Sequence, residues 1–512
     1  MEDTLDRHFE VLLTAQEAYP ALERQFLAAN TEIAAGFRIF DVTTKLRSPE
    51  ARKLGEIWFD LIVATLNRGV RISIAITDFD PVVRLENHQY TWRCVGQLHA
   101  AAEVSRHPEL LSVSAAMHPA RVGLLPRLLL WPRLIKEINA ELADAALEND
   151  AARDDFLKTA PRLRPMLRQT SDGLRARRFP PPALVPATHH QKLAVFDKQR
   201  LYIGGLDLND RRYDTPAHQQ SADQTWHDVQ VIVDGPVAEE AASHLASFQA
   251  VTNGRKPHTT KLLLRTLSAR RKLSLPFMSP KPVVGELAER HKVQIAETEN
   301  LVYLETQFFR DRDLANELAR RAQEKPGLTM ILILPAAPED VAFKDEPGSD
   351  AAYGEHLQRE CIKIVQEAFG PRVFIGSPAQ PRPTNEKGRA ALFGAPLVYL
   401  HAKVSIFDDQ YAMVASANLN GRSFAWDTEA GVGTQSTAEV AQLKSRCFSH
   451  WLGSDADPAC FSDLTACEAW SAHAARNAQL EPTERKGFLL PYAIGSSSEL
   501  ARNLPGVPEE MV

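Results

Sequence analysis

His190-Gln-Lys192-Leu-Ala-Val-Phe-Asp197, followed by Gly204-Gly205-Leu-Asp207-Leu-Asn209-Asp-Arg211, comes back 211 residues later as His401-Ala-Lys403-Val-Ser-Ile-Phe-Asp408 and Ala415-Ser416-Ala-Asn418-Leu-Asn420-Gly-Arg422. Histidine, lysine, aspartate, the pair of small residues, asparagine and arginine keep their offsets. A chain that makes one half-site twice builds one site from two halves. In each copy the apolar run between lysine and aspartate reads as a buried strand, and residues i and i+2 of a strand face one side. His190 and Lys192 therefore point together, as do His401 and Lys403.

The repetition reaches outward from the motifs. Phe37-Arg-Ile-Phe-Asp41-Val reads as a strand, and a helix through Trp58-Phe-Asp-Leu-Ile-Val stops at Asn67-Arg68-Gly69. Val70-Arg-Ile-Ser-Ile-Ala-Ile is the next strand. The second half repeats this with strands over residues 300–306, 328–334 and 372–376, and helices over 313–323 and 355–369. Strand, helix, strand at this spacing indicates parallel βαβ units. The expected fold is α/β: two similar α-β-α sandwich halves, each a mixed sheet with helices on both sides, packed about a pseudo-two-fold axis.

The expected boundaries are a helical segment over 1–35, a first half over 36–255 with an insertion at about 119–186, a basic linker over 256–285, a second half over 286–455, and an extension over 456–512 packed on the core. The last residues, Pro508-Glu-Glu-Met-Val, read as loose. Inside the insertion, Leu124-Leu-Pro-Arg-Leu-Leu-Leu-Trp131-Pro-Arg-Leu-Ile135 holds two prolines, which rules out one regular helix on this reading. It reads equally as a segment dipping into a membrane interface or as a cover for an edge of the core. The run from Arg255 to Lys281 carries eight Lys/Arg and no Asp or Glu. It reads as a solvated connector, with binding of anionic lipid head groups as the alternative.

Hydrophobic content of 44% and charged content of 24% are those of a globular protein with a large core, and the net charge of −6 gives no general attraction to nucleic acid. No stretch approaches the ~18 apolar residues of a membrane span. The opening Met1-Glu-Asp-Thr-Leu-Asp-Arg-His lacks the pattern of a secretory leader. The five scattered cysteines suit reduced thiols. The expectation is a monomer in the cytoplasm or at a membrane periphery, with signal-less export left open.

Two imidazoles and two ammonium groups around one point suit a phosphodiester. One histidine attacks phosphorus, the other protonates the departing alkoxide, and the lysines neutralise the phosphoryl oxygens. With the lysines supplying that charge, no metal or other cofactor is called for. Asn418, Asn209 and Asn420 are candidate neutral donors. Gly205, Ser416 and Trp226 join them as candidates for substrate contact, although Trp226 reads first as core or pocket wall. Asp197 and Asp408, at the far ends of their strands, read as structural, holding a turn by hydrogen bonds or pairing a base. His88, His99, His107, His118, His218 and His356 show no metal-ligand spacing and read as ordinary, while His227 is placed near the site by its neighbour Asp228.

The paired His-x-Lys-x4-Asp motifs resemble the signature of the phospholipase D superfamily. The likeness extends to His189-His190-Gln-Lys192, Gly204-Gly205-Leu-Asp207, Arg212-Tyr213-Asp214-Thr215 and Trp226-His227-Asp228-Val, which resemble the first half of the eukaryotic-type enzymes. Tyr303-Leu-Glu305-Thr-Gln307-Phe-Phe309, Ser416-Ala-Asn418-Leu-Asn420-Gly-Arg422-Ser and Asp427-Thr-Glu429 resemble their second half, and Gly487-Phe-Leu-Leu-Pro-Tyr492 resembles their C-terminal segment. The resemblance implies His190 as the nucleophile forming a phosphohistidine and His401 as general acid, then base. It implies Lys192, Lys403 and Asn418 as holders of the phosphoryl oxygens. Asp228 and Glu429 match acids that hydrogen-bond the imidazoles, each serving the histidine of the other half. Asp207 stands where many smaller members have asparagine. A carboxylate facing phosphate is repulsive, so its side chain is expected to turn away. The family's membrane-binding domain has no room in the sequence, which leaves membrane contact to the core or its insertions.

The implied activity is hydrolysis of a phospholipid head-group phosphodiester to phosphatidic acid and alcohol, with water or an alcohol as acceptor and transphosphatidylation as a natural extension. A phosphatidyltransferase of the cardiolipin synthase kind is the alternative, followed by a superfamily nuclease and a non-catalytic lipid-binding scaffold. Intact His190, Lys192, His401, Lys403 and Asn418 argue against the scaffold.

Overall fold

The computed structural model describes residues 8–145, 149–171, 173–343, 348–386, 388–453, 455–493, 501–504 and 507–512; residues 1–7, read above for a leader, lie outside them. Two mixed sheets dominate. The first runs, from edge to edge, Phe9–Leu13, Val229–Asp234, Arg200–Gly204, Leu193–Phe196, Glu32–Phe37, Arg71–Asp78, Leu111–Met117. The second begins with Lys281–Gly285 and continues Leu263–Ala269, Glu429–Thr434, Tyr411–Ala415, Lys403–Phe407, Leu301–Thr306, Thr329–Ile333, Val373–Pro378, Leu489–Pro491. Beyond the added strand at each edge the two orders coincide. In both, the strand after the His-x-Lys pair is antiparallel to a strand (Glu32–Phe37 or Leu301–Thr306) that begins a parallel run of three. The fold is α/β, two mixed sheets flanked by helices.

Three expectations change. The segment read as helical over 1–35 contains the edge strand Phe9–Leu13 before its helix Thr14–Ala28, and the following strand is Glu32–Phe37, ending where the one expected began. Residues 38–42 leave the sheet, and Arg38 and Ile39 enter the cleft described below. The basic linker over 256–285 holds the strands Leu263–Ala269 and Lys281–Gly285. Leu263–Ala269 is the counterpart of Phe9–Leu13, so the second repeat starts inside the stretch read as a connector. Finally, Leu124–Asp144 is one helix despite its prolines. Pro126 falls in the first turn, where the missing N–H had no partner to lose, and Pro132 removes a single interior bond.

The halves exchange helices. Pro236–Thr252 of the first packs on Leu263–Ala269 of the second, and Thr437–Leu452 of the second packs on Phe9–Leu13. One apolar core therefore runs through both sheets, joining Val195, Ile203 and Val231 to Tyr303, Val404 and Val414. The C-terminal extension completes it: Leu489–Pro491 pairs with Val373–Pro378, and Ala466–Gln479 packs beneath. Among the described residues no helix is long and apolar enough to cross a membrane.

Asp197 and Asp408 sit in the left-handed region at the turns that close the motif strands, with φ of 52° and 50°. Asp197 accepts backbone N–H groups of Asn30, Thr31 and Glu32 at 2.8–3.0 Å. Asp408 does the same for Glu299, Asn300 and Leu301 at 2.8–2.9 Å. Burial pushes the Asp197 carboxyl up, but these bonds and the Thr31 hydroxyl outweigh it and hold it at about 2. Asp408→Ala leaves three backbone donors unpaired and is expected to lower stability by about 2–4 kcal/mol. Urea denaturation checks this, with no loss of folded secondary structure in circular dichroism.

Candidate active site

The two repeats are stitched together by backbone bonds at the motif histidines. His190 and Gln191 donate to the Thr428 carbonyl at 2.8 and 2.9 Å, and Thr428 donates to Thr188 at 2.9 Å. Related by the pseudo-symmetry, His227 donates to Tyr399 and His401 donates to His227, both at 2.8 Å. These bridges set Glu429, one residue past Thr428, beside His190, and Asp228, one residue past His227, beside His401. His190 Nδ1 lies 2.9 Å from Glu429 Oε1, and His401 Nδ1 lies 2.7 Å from Asp228 Oδ2. Both carboxylates are fully buried. Each imidazole thus takes its carboxylate from the other repeat, and Nε2 is the nitrogen left for chemistry.

Lys192 and Lys403 are buried beneath the histidines. Lys192 Nζ donates to the His190 carbonyl at 2.6 Å and Lys403 Nζ donates to the His401 carbonyl. Burial, then the adjacent lysine, pushes both imidazoles well below the ordinary range. Burial lowers both lysines, Lys403 to about 7. Burial raises Glu429 and takes Asp228 to about 7, with Lys403 pulling Asp228 back.

The cleft, about 660 Å³, is lined by His190, His401, Asn418, Asn420 and Trp226 together with Phe79, Phe308 and Phe343. The Trp226 ring lies 4.5 Å from His401, and the Arg212 guanidinium stacks 3.5 Å from it on the indole. Asn418 faces the cleft with Oδ1 unpartnered. Asp207, at the equivalent position, is turned away: Oδ1 accepts from Ile39 N at 3.0 Å and Oδ2 lies 3.9 Å from Lys192 Nζ.

Three residues read as substrate contacts do other work. Asn209 accepts from Arg212 N at 3.2 Å and caps a turn outside the cleft wall. The Ser416 hydroxyl donates to Glu429 Oε2 and accepts from Ala430 N at 3.1 Å. Gly205 leaves room for Asp228, because a Cβ there would stand 2.3 Å from Asp228 Oδ1. Asn420 is split between roles, accepting from Ser423 N at 3.0 Å and donating to the Val512 carbonyl at 3.1 Å. Of the residues read as loose, Met511 and Val512 thus lie on the cleft wall.

The sequence reading overlooked the cleft's arginines: Arg38, Arg84, Arg211, Arg212, Arg310 and Arg422. The recurrence of Arg211 as Arg422 in the motif was the available signal. It also overlooked the grouping of His218, His227 and His450, whose ligand nitrogens lie within 4.8 Å of one another, the one such cluster among the described residues. His218 Nδ1 lies 2.6 Å from Asp214 and its Nε2 3.1 Å from His450 Nε2, while His227 and His450 stack at 4.4 Å.

Residues 292–451 match the family described as "Cardiolipin synthase, PLD-like domain". Among curated proteins, the chain is 22% identical over 397 residues to Phospholipase D alpha 4 of Arabidopsis thaliana, covering 56% of this chain and 51% of that one. It is 25% identical over 327 residues to Phospholipase D1 of Schizosaccharomyces pombe, covering 46% of this chain and 24% of that one. The chain therefore spans about half the length of the plant relative and a quarter of the yeast one. Among solved structures, the phosphatidylserine synthase of Haemophilus influenzae Rd KW20 superposes with a TM-score of 0.51 at 12% identity, covering 86% of this chain and 85% of that one. That likeness is one of fold.

Gly205→Ala is expected to push Asp228 off His401 and to spare the His190–Glu429 pair. Imidazole ¹⁵N shifts check this: the His401 tautomer ratio moves and that of His190 does not.

Proposed function

We propose that the chain is a phosphodiesterase of the phospholipase D superfamily that cleaves the head-group ester of a phospholipid through a phosphohistidine. The observation that carries this reading is the pair of imidazole–carboxylate couples, one from each repeat, opening on one cleft. His190 Nε2 attacks phosphorus while the bond to the head-group oxygen breaks, and His401 gives that oxygen its proton. A phosphatidyl group is then held on His190. His401, now neutral, takes a proton from water or an alcohol, whose oxygen attacks phosphorus and frees His190. Glu429 and Asp228 fix the tautomers and stabilise the imidazolium forms. Lys192 and Lys403 act on the phosphoryl charge from below, and the Asn418 amide donates from the wall. Water gives phosphatidic acid and an alcohol gives a phosphatidyl ester.

The alternative is phosphatidyl transfer as the main reaction. It is favoured by the cardiolipin synthase description of the family matched over 292–451, and it differs only in the acceptor. Incubation with phosphatidylcholine vesicles, with and without a short primary alcohol, distinguishes the two. The expected products are phosphatidic acid alone and phosphatidic acid plus phosphatidylalcohol, respectively. Product only when a lipid alcohol is supplied selects the transferase, and cleavage of single-stranded DNA without lipid product removes both.

His190→Asn and His401→Asn are each expected to lower turnover by about 10²–10⁴-fold. Quenched with detergent at neutral pH, His401→Asn retains labelled phosphatidyl on histidine, lost on later acid treatment, and His190→Asn does not; the opposite pattern reverses the two roles. The pH profile has a sign. The His401–Asp228 couple must carry the proton it donates, and Asp228, raised to about 7, holds one only below that pH. Lys403, lowered to about 7, is likewise charged only below it. Both effects predict that kcat/KM declines as pH rises through about 7, and a profile flat on the alkaline side would contradict the assignment.

A further inference from the structure

Large apolar side chains scattered singly over a surface need no explanation, but a cluster does. Of the fifteen exposed ones among the described residues, eight gather in one region: Leu124, Leu125, Leu128 and Leu129, Phe179, and Leu273, Leu275 and Phe277. The segments are distant in sequence and joined in space. Gly123 N donates to the Phe277 carbonyl at 2.8 Å, Leu125 N donates to the Leu275 carbonyl at 3.1 Å, and Trp131 lies 6.3 Å from Phe179. Gly123 is required there, since a Cβ would meet the Ser274 carbonyl oxygen at 1.8 Å.

The helix Leu124–Asp144 is anchored by one stripe, Leu134, Ile138 and Leu142, against Val82, Leu85 and Leu184. Its first two turns bury nothing and protrude, with Leu129 85% exposed beside Phe179 and Leu273, each 74% exposed. The segments that carry this tip are basic: residues 119–136, 173–186 and 255–285 contain no Asp or Glu, Arg175, Arg177, Arg178, Arg270 and Lys272 on them are exposed, and Glu137, the first carboxylate of the helix, is paired with Arg133 at 2.8 Å. Apolar tips ringed by cations fit the interfacial zone of a bilayer with anionic head groups, where the leucines enter the acyl boundary and the cations meet the phosphates. A protein partner of the same area would be expected to meet a mixed-charge rim. The anchoring stripe packs on Val82 and Leu85, in the stretch whose Phe79, Arg84 and Asn87 line the cleft.

We propose that the tip of helix Leu124–Asp144, with Phe179 and the loop 273–277, is a membrane-docking surface that takes an anionic lipid bilayer and presents the cleft to it. The proposal rests on the phospholipid reading of the site, and the test separates the two.

Flotation with vesicles of phosphatidylcholine plus phosphatidylglycerol, against pure phosphatidylcholine, measures docking without turnover. The wild type is expected to float with the anionic vesicles and to be released by salt. The double variant Leu125→Asp/Leu129→Asp, and separately Arg178→Glu/Lys272→Glu, should lose about tenfold or more of that partition. Both should keep the wild-type melting temperature and the wild-type rate on a short-chain diester below its micelle concentration. Wild type that stays with neither vesicle, equal partition onto both, or variants that float as wild type each overturn the proposal. A wild-type dimer made monomeric by the leucine variant, without vesicle binding, overturns it in favour of self-association. Docking without hydrolysis of any diester leaves this surface standing and removes the enzymatic reading instead.

Discussion

Everything in this molecule is arranged around two bonds that cross between its halves, His190 to Glu429 and His401 to Asp228. A buried carboxylate without its partner costs several kcal/mol, and each repeat alone would hold one such carboxylate and one unoriented histidine. The halves must therefore be fixed against each other to within a hydrogen bond's tolerance. The backbone bridges at Thr428 and His227 supply the local register. The exchanged helices and the common core supply the rigidity. A surface contact between independent domains would not hold 2.7 Å geometry at the floor of an open cleft.

The parts of this plan that chemistry forces to be identical were legible in the sequence. His190, Lys192 and Asp197 recur as His401, Lys403 and Asp408 because both strands need the same imidazole, the same buried amine and the same turn-closing carboxylate. The central strands were legible through their apolar runs. The edges were not. Phe9–Leu13 is a short apolar run at the head of a helical pattern, and periodicity cannot separate those. Leu263–Ala269 was hidden by its basic neighbours, although its own Arg265 is buried and paired with Glu286 at 2.8 Å. Composition averages over such a run and misses the one cation that has found a partner.

The roles of Gly205 and Ser416 were out of reach for a different reason. Each acts on an acid that follows it by 23 or 13 residues in the chain, and the demand, space for Asp228 and a hydroxyl for Glu429, appears only once the return strand is in place. His218, His227 and His450 illustrate the same limit, since two come from the first repeat and one from a helix of the second. Spacing rules see ligands on one element and are blind to residues that a fold gathers from three.

The asymmetry at Asp207 and Asn418 gives the duplicated scaffold a direction. Lys192 keeps a carboxylate 3.9 Å away, one that also accepts the Ile39 amide and stands 4.0 Å from Arg38. Lys403 has Asn418 at the matching place, with no charge to offer, and its amine falls to about 7 under burial. The two sides of the cleft floor therefore differ in how firmly they hold positive charge: the Lys192 side has a dedicated counter-ion, and the Lys403 side shares Asp228 with His401. Lys403 is lowered and Asp228 raised toward the same value of about 7 beside His401, whereas on the His190 side Ser416 holds Glu429 and Asp207 stands by Lys192. That asymmetry is the physical ground for the proposed division, with the mobile proton at His401 and the neutral imidazole at His190, which two identical half-sites would not provide.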